Sequence, residues 1–407
     1  MIIKIAWRNI WRNKTRTLIS TLSISGALFL IIVMRSMQLG FYDNLIKTVV
    51  ESYSGYVQIH ANGYWETQSL DNSMEVDDKL INTITSIPGV ENVVQRVQTF
   101  SLVSKDEKSK GAIINGIDIN QEQLITDWNK RIVKGSLSLS HNDEILVAEG
   151  LARYFNAELG DTLILFGQGY QGMMAAGKYK ITGIVDLKNP KLNNLAIFMD
   201  IKSLNDYISS ENIVTHLVID KAEYYDEKKI AKEIDNVLSN DYEVMTWKQI
   251  LPEIDQTITA DNVGGLIMAF ILYIVVCFGM FGTVLMMTEE RKYEFGVLVS
   301  IGMSKIKLFL IIFLETIMLS SIGVAIGIIL SRPIAYYFNK NPINLAELGE
   351  GMDEAMAKFG FDPIVPFSIS WDIPLSHALI IFFVSVFISI YPAIKIFMLN
   401  PVNAMRK

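Results

Sequence analysis

The sequence predicts a membrane protein: four transmembrane α-helices, with a large α+β extracytoplasmic domain between helices one and two. That domain reads as two β-α-β units plus a β-rich subdomain. Three observations carry the prediction. Half of the 407 residues are hydrophobic and 19% are charged, and mean hydropathy is +0.30, too apolar for an ordinary soluble chain. Charge nearly vanishes over four stretches that each approach the roughly 20 residues a bilayer span needs. Residues 41–262, by contrast, alternate between strand and helix periodicities.

Residues 1–16 form the first element. In "MIIKIAWRNIWRNKTRTLIS", Ile3, Trp7, Ile10 and Trp11 fall on one helical face and Lys4, Arg8 and Arg12 on another. Such a helix lies among lipid headgroups with its tryptophans at the interface. Span one covers 17–40 and is interrupted by Arg35. A basic region before an apolar run resembles a secretory signal, but the run is long and no small-x-small site follows it at "MRSMQLGFYDN". A retained signal anchor is expected.

The outer domain, 41–262, holds 20 basic and 33 acidic residues, which excludes a nucleic-acid surface. Pro88-Gly89 stops a helix in "VDDKLINTITSIPGV" whose apolar positions are Val76, Leu80, Ile84 and Ile87. The segment "SGYVQIHA" before it and "ENVVQRVQTFSLVS" and "KGAIINGID" after it read as strands. The order recurs near the far end as strand "VTHLVID", helix "EKKIAKEIDNVLS" and strand "YEVMTW". Between the two units lies a strand-rich insert, 135–200. The flanks "LGFYDNLIKTVVESYS" and "WKQILPEIDQTITADNVGG" have helical character, so helices one and two extend past the bilayer as a stalk.

Span two covers 263–288 and contains Cys277, the sole cysteine, so no disulfide staples the outer domain. A connector follows at 289–307, then span three at 308–332, an outer loop at 333–372, span four at 373–395 and a tail at 396–407. Twelve basic residues flank the spans on one side: Lys4, Arg8, Arg12, Lys14 and Arg16 at the N-terminus, Arg291, Lys292, Lys305 and Lys307 in the connector, and Lys395, Arg406 and Lys407 at the end. The 333–372 loop has Lys340 and Lys358 against six acids. Both termini and the connector are therefore expected in the cytoplasm.

Few motifs carry chemistry. "GQGYQG" (Gly167, Gly169, Gly172) fits a dinucleotide fingerprint, but a strand follows it where a helix is required, so a hairpin loop is expected. No G-x-x-x-x-G-K-[ST] or G-x-S-x-G sequence occurs. His60, His141, His216 and His377 lack metal-ligand spacing. Catalysis and a bound metal are not expected of this chain.

Four features remain. The connector reads as a short amphipathic helix: Glu289, Glu290, Arg291, Lys292 and Glu294 precede a compact run from Phe295 through Gly296, Leu298, Ile301 and Gly302 to Met303. Glu315 lies about two turns into span three, roughly 10 Å at 1.5 Å per residue; it either faces a protein interior or snorkels outward. Gly323 and Gly327 make a small-xxx-small pair, read as helix packing within the chain. At the outer ends of spans one and two, Met34, Met37, Leu39 and Phe41 share a level with Leu266, Met268 and Phe270. That band is adaptable apolar surface suited to acyl chains, against the alternatives of bulk lipid contact and helix packing. Arg35 lies within it, to meet a lipid phosphate, meet an acidic neighbour or snorkel.

Together these pieces resemble the permeases of MacB-type (FtsX-like) ABC transporters, and most closely the lipoprotein-releasing Lol-type (LolC/LolE-like) permeases. The resemblance rests on "AWRNIWRNKTRT", the large domain between spans one and two, "EERKYEFGVLVSIGMSKIKLFLIIFLE", and the ending "YPAIKIFMLNPVNAMR", where Met405 replaces the usual Leu. Within the outer domain "NGID", "EILVAEGLARYFNAELGDTLILF" and "YKITGIV" add to it. The resemblance implies a multi-pass protein of the bacterial inner membrane, and a connector (289–307) that docks on a separate cytoplasmic ABC ATPase dimer. ATP and magnesium bind that ATPase and no cofactor binds this chain. It further implies a second permease copy or homologue, and mechanical release of a lipoprotein from the outer leaflet to a periplasmic carrier amid membrane lipids. An export permease for peptides or small amphiphiles, and a membrane regulator of extracytoplasmic enzymes, are the alternatives.

Overall fold

Among the described residues of the computed structural model, four helices are long and apolar enough to cross a bilayer, within Thr17–Val49, Pro252–Glu290, Lys305–Lys340 and Asp372–Phe397. The structure describes residues 2–139, 142–187, 189–222, 225–347 and 363–400. His141, Lys358 and the tail motif from Pro401 to Met405 and Arg406 lie outside the described residues. The chain divides into a helical unit (Met1–Asp43, Ile258–Asn344, Ile364–Lys407) and a sheet unit (Asn44–Thr257, Leu345–Pro363).

The helical unit is built from α1 (Ile2–Arg12), the first part of α2 (Lys14–Val49), most of α11 (Pro252–Glu290), α12 (Lys292–Ser300), α13 (Lys305–Lys340), α14 (Asp372–Ile388) and α15 (Ile390–Phe397). Ile24, Leu28 and Ile32 of α2 pack with Val276, Met280 and Val284 of α11, Leu319 of α13 and Ile381 of α14. The glycine pair lets α13 approach α2 closely: a Cβ on Gly323 would stand 2.8 Å from Ile24, and one on Gly327 3.1 Å from Leu28. Packing within the chain is thus the use of that pair.

Three expected boundaries move. The N-terminal helix ends at Arg12, and Ile10 is buried with Ala6 rather than grouped with the exposed Trp7 and Trp11. The helix that holds the third span runs past 332, through Pro333 to Lys340, after which Ile343–Asn344 (β13) pairs with Ile364–Val365 (β14). The fourth breaks at Ser389, because Pro392 in the first turn of α15 has no N–H to continue α14.

The sheet unit contains β1 (Val57–Ala61), β2 (Met74–Glu75), β3 (Val90–Lys105), β4 (Lys108–Ile117), β5 (Ile132–Gly135), β6 (Glu144–Ala148), β7 (Thr162–Gln168), β8 (Met174–Val185), β9 (Ala196–Asp200), β10 (Ile213–Val214), β11 (His216–Lys221) and β12 (Tyr242–Thr246). Its helices are α3 (Tyr64–Thr67), α4 (Asp78–Thr85), α5 (Ile119–Glu122), α6 (Glu149–Phe155), α7 (Pro190–Asn193), α8 (Ile201–Tyr207), α9 (Glu227–Val237) and α10 (Trp247–Ile250). The two β-α-β units, β1-α4-β3 and β11-α9-β12, do not stand apart. They interleave in the antiparallel order β12-β1-β11-β3, a split β-α-β arrangement. Val57, Ile59, Leu217 and Ile219 bury one face against Ile84 of α4 and Ile230 and Ile234 of α9.

The insert is not a separate layer either. β3 pairs β4, β4 pairs β9, β9 pairs β6, β6 pairs β8, β8 pairs β7, and β7 returns to β3. That ring closes a barrel around Val103, Ile114, Leu163, Leu165, Ala175 and Ile181, and closure removes sheet edges. "GQGYQG" spans the β7–β8 hairpin, whose register matches Gln168 to Met174.

On the sheet face away from α4 and α9, the register aligns Glu243, His60, His216 and Arg96 across four strands. Arg96 is wholly buried: Nε and Nη2 donate to the Glu122 carboxylate, and Nη1 donates to the Tyr53 carbonyl in the π-turn Val50–Ser54 that closes α2. Burial pushes the His60 imidazole down to about 4 and the His216 imidazole well below its ordinary value, the latter also repelled by His60 and Arg96.

Candidate functional site: the connector between the second and third spans

The connector is helical where the sequence placed a helix, and Glu289, Arg291, Glu294 and Lys305 are bonded within the chain. Helix α11 ends at Glu290, Arg291 forms the corner, and α12 follows. From that corner Arg291 Nη1 donates to Glu315 Oε2 at 2.9 Å and Nε donates to Glu294 Oε2 at 3.2 Å. Arg12 of α1 donates Nη2 to the same Glu294 carboxylate at 2.9 and 3.1 Å. The result is a line of alternating charge, Arg12–Glu294–Arg291–Glu315. Burial would raise the Glu294 carboxyl, and the bonds from Arg12 and Arg291 outweigh it and hold the group below its usual range.

Glu315 is 1% exposed, so the snorkelling alternative falls and the protein-interior one stands. A lone carboxylate in a span is costly, and Arg291 compensates it. Glu289 is likewise paired, 3.0 Å from Lys395 Nζ of α15. Lys305 Nζ donates to the Phe397 carbonyl at 2.8 Å. Beneath these bonds Phe295, Leu308, Ile312 and Ile396 form a small core that Leu298 and Met303 partly cover.

The structure therefore divides the expected coupling residues. Arg291, Phe295 and Gly296 are buried, Glu294, Leu298 and Met303 are half-buried, and Glu289, Glu290, Ile301 and Gly302 are exposed. The expected short helix is present, pinned on one face and exposed at its tip. Ile301 is 79% exposed at that tip. Gly302 follows with φ +101, a backbone that side chains rarely adopt, and turns the chain toward the Ser304 cap of α13. Tyr293 and Ile306 are also exposed and were missed, because an apolar run does not reveal which members face outward. Arg12 was missed as a partner for a different reason: it lies 282 residues from Glu294.

At the outer level of the helical unit, Met37, Leu266, Met268 and Phe270 are exposed, while Met34, Leu39 and Phe41 are half-buried. Arg35 is buried. Its Nη1 donates to Gln38 Oε1 at 2.5 Å and its Nη2 to Asn262 Oδ1 at 3.0 Å. Gln38 Nε2 in turn donates to Asp261 Oδ2 at 2.9 Å, which also accepts from the Tyr42 hydroxyl. Gly265 permits this approach, since a Cβ there would stand 2.1 Å from Gln38 Oε1. A polar clasp thus ties α2 to α11 beside the exposed methionines.

Comparison with known proteins gives the family. Residues 17–237 match the MacB-like periplasmic core domain, and residues 266–401 match the FtsX-like permease C-terminal family. The macrolide export ATP-binding/permease protein MacB of Campylobacter jejuni is 20% identical over 83% of this chain, which spans only 53% of that protein. An uncharacterised ABC transporter permease of Methanocaldococcus jannaschii is 21% identical over the whole chain and 97% of its own length. The crystal structure of the periplasmic region of MacB from Actinobacillus actinomycetemcomitans matches 52% of this chain and 97% of its own, at 14% identity and a TM-score of 0.35. Four candidate spans, a periplasmic-type domain between the first two and both family matches agree: the chain belongs to the MacB-like, FtsX-like family of ABC transporter permeases.

Proposed function

We propose that this chain is the permease subunit of a bacterial inner-membrane transporter that releases acylated lipoproteins from the outer leaflet. A separate cytoplasmic ABC ATPase dimer, holding ATP and magnesium, docks on the connector tip at Ile301, with both termini on the same side. The observation that carries this reading is the contrast within the connector. Its base is pinned by Arg291–Glu315 and Glu289–Lys395, while its apolar tip stands free. A lever needs both a rigid root and an exposed end. Closure of the ATPase moves the tip, and the first two helices pass that motion to the outer domain.

The lipoprotein part of the reading rests on the exposed Met37, Met268 and Phe270, soft apolar surface that accepts acyl chains of varied length. A second copy or a homologous permease completes the transporter, and a periplasmic carrier receives the product. The alternative, an export or mechanotransmission permease for peptides or small amphiphiles, is favoured by the similarity to macrolide-export proteins. Mass spectrometry of what co-purifies with the full chain separates the two. An ABC ATPase with triacylated lipoprotein supports the first reading, and an outer-membrane tunnel partner without lipoprotein supports the second.

A further inference from the structure

A cavity of about 430 Å³ opens between α1, α12 and α13. Its volume falls within the roughly 300–1,000 Å³ of small-molecule sites. Ile5, Val297, Leu298, Leu308 and Ile311 give it apolar walls. Asn9, Arg12, Arg291, Tyr293 and Glu294 bring polar groups to it. The helix spacing explains the division: Ile5, Asn9 and Arg12 follow one another at intervals of four and three, so one stripe of α1 runs from apolar to cationic.

Asn9 is the unexplained member. Its Nδ2 is buried and has no hydrogen-bond partner among the described residues. Buried amide donors are ordinarily satisfied, because leaving one unmade costs its full desolvation. Arg12 spends Nη2 on Glu294, which leaves its other guanidinium N–H groups for a ligand. Both groups donate, so the missing partner is an acceptor, and two lining guanidinium groups against the single Glu294 carboxylate favour an anion.

The surroundings say where the anion comes from. On the opposite face of α1, Trp7 and Trp11 are exposed and meet edge to face at 5.8 Å, and Lys4 and Arg8 lie beside them. Exposed tryptophans with basic residues mark the headgroup level of a bilayer. The first two turns of span three, at Leu308 and Ile311, form the far wall at that level.

We propose that this cavity binds one anionic phospholipid of the leaflet facing α1, its phosphate at Asn9 and Arg12 and the start of an acyl chain between Ile5 and Leu308. The site is independent of what the transporter carries. It would make the connector's grip on α1 sensitive to lipid, because phosphate and Glu294 share Arg12.

The test is native mass spectrometry of the full-length protein equilibrated in micelles holding equal phosphatidylglycerol and phosphatidylcholine. One phosphatidylglycerol per chain is expected, at least fivefold over phosphatidylcholine. Asn9→Leu, which keeps the volume, and Val297→Trp, which fills the cavity, should each lower that adduct about fivefold. Equal retention of the two lipids, or an adduct unchanged in both variants, overturns the site. Displacement of the lipid by inorganic phosphate alone would assign the donors to a free anion and overturn it as well. So would loss of the adduct whenever a bound ATPase is present, since the cavity would then belong to the ATPase.

Discussion

Arg291 at the corner of the connector and Glu315 two turns inside the third span form a buried ion pair, Nη1 to Oε2 2.9 Å, with side chains 9% and 1% exposed. The pair fixes the root of the connector to the helix that follows it. Removing one member leaves an uncompensated charge, which costs about 3–5 kcal/mol, whereas replacing both with apolar residues is far milder. Arg291→Leu is therefore expected to lower the thermal midpoint of the detergent-solubilised protein sharply. Arg291→Leu with Glu315→Leu should recover most of the loss. Equal destabilisation by the single and double variants would show that the pair is not the restraint.

The tip should behave oppositely. Ile301→Asp changes no buried contact, so the unfolding free energy should stay within about 0.5 kcal/mol of the parent. Recovery of ATPase with the purified permease should fall about tenfold. Glu294→Lys is the poorer probe of docking, because it also breaks the bonds to Arg12 and Arg291. A result in which Ile301→Asp retains the ATPase would remove the tip from the interface.

Acid should weaken the sheet unit. His60 stacks on Tyr64 at 5.4 Å and lies 5.6 Å from His216, on the face shared with Glu243 and Arg96. Both imidazoles are depressed by burial, His60 to about 4, so the unfolded chain takes up protons first as pH falls. The stability contributed is fully present above the unfolded value of about 6.5 and is lost from there down to about 4, at most about 1.4 kcal/mol per pH unit for His60. Residues 44–257, produced alone, should melt cooperatively and lose about 1.5 kcal/mol per imidazole, roughly 3 kcal/mol in all, between pH 6.5 and pH 5. His60→Phe should flatten that slope, and an unchanged slope would place the titration elsewhere.

The acyl-binding reading makes its own demand. Photocrosslinkers at Met37 and Met268, both exposed beside the Arg35–Gln38 clasp, should capture lipoprotein in the nucleotide-free complex and release it when ATP binds. Crosslinks to bulk phospholipid alone, indifferent to nucleotide, would leave the band as ordinary lipid contact.

Much of this architecture was legible before any coordinates. The spans follow from runs without charge, and the strands and helices of the outer domain follow from period and from Pro88-Gly89. What could not be read was pairing over distance. Nothing local to β3 says that its first half joins a split β-α-β sheet while its second half closes a barrel with β7. Likewise the acids of the connector looked available because their partners, Arg12 and Lys395, come from the two ends of the chain. Composition placed the connector correctly, and only packing showed that Phe295 points inward and Ile301 outward.

The most direct test of the account is a photoreactive amino acid placed at Ile301 and, separately, at Phe295, in the full-length permease within its own membrane. The exposed tip is predicted to yield an adduct with an ABC ATPase, and buried Phe295 to yield none. Absence of ATPase from the Ile301 adducts, or equal capture from both positions, would contradict a connector that is pinned at its root and docks by its tip.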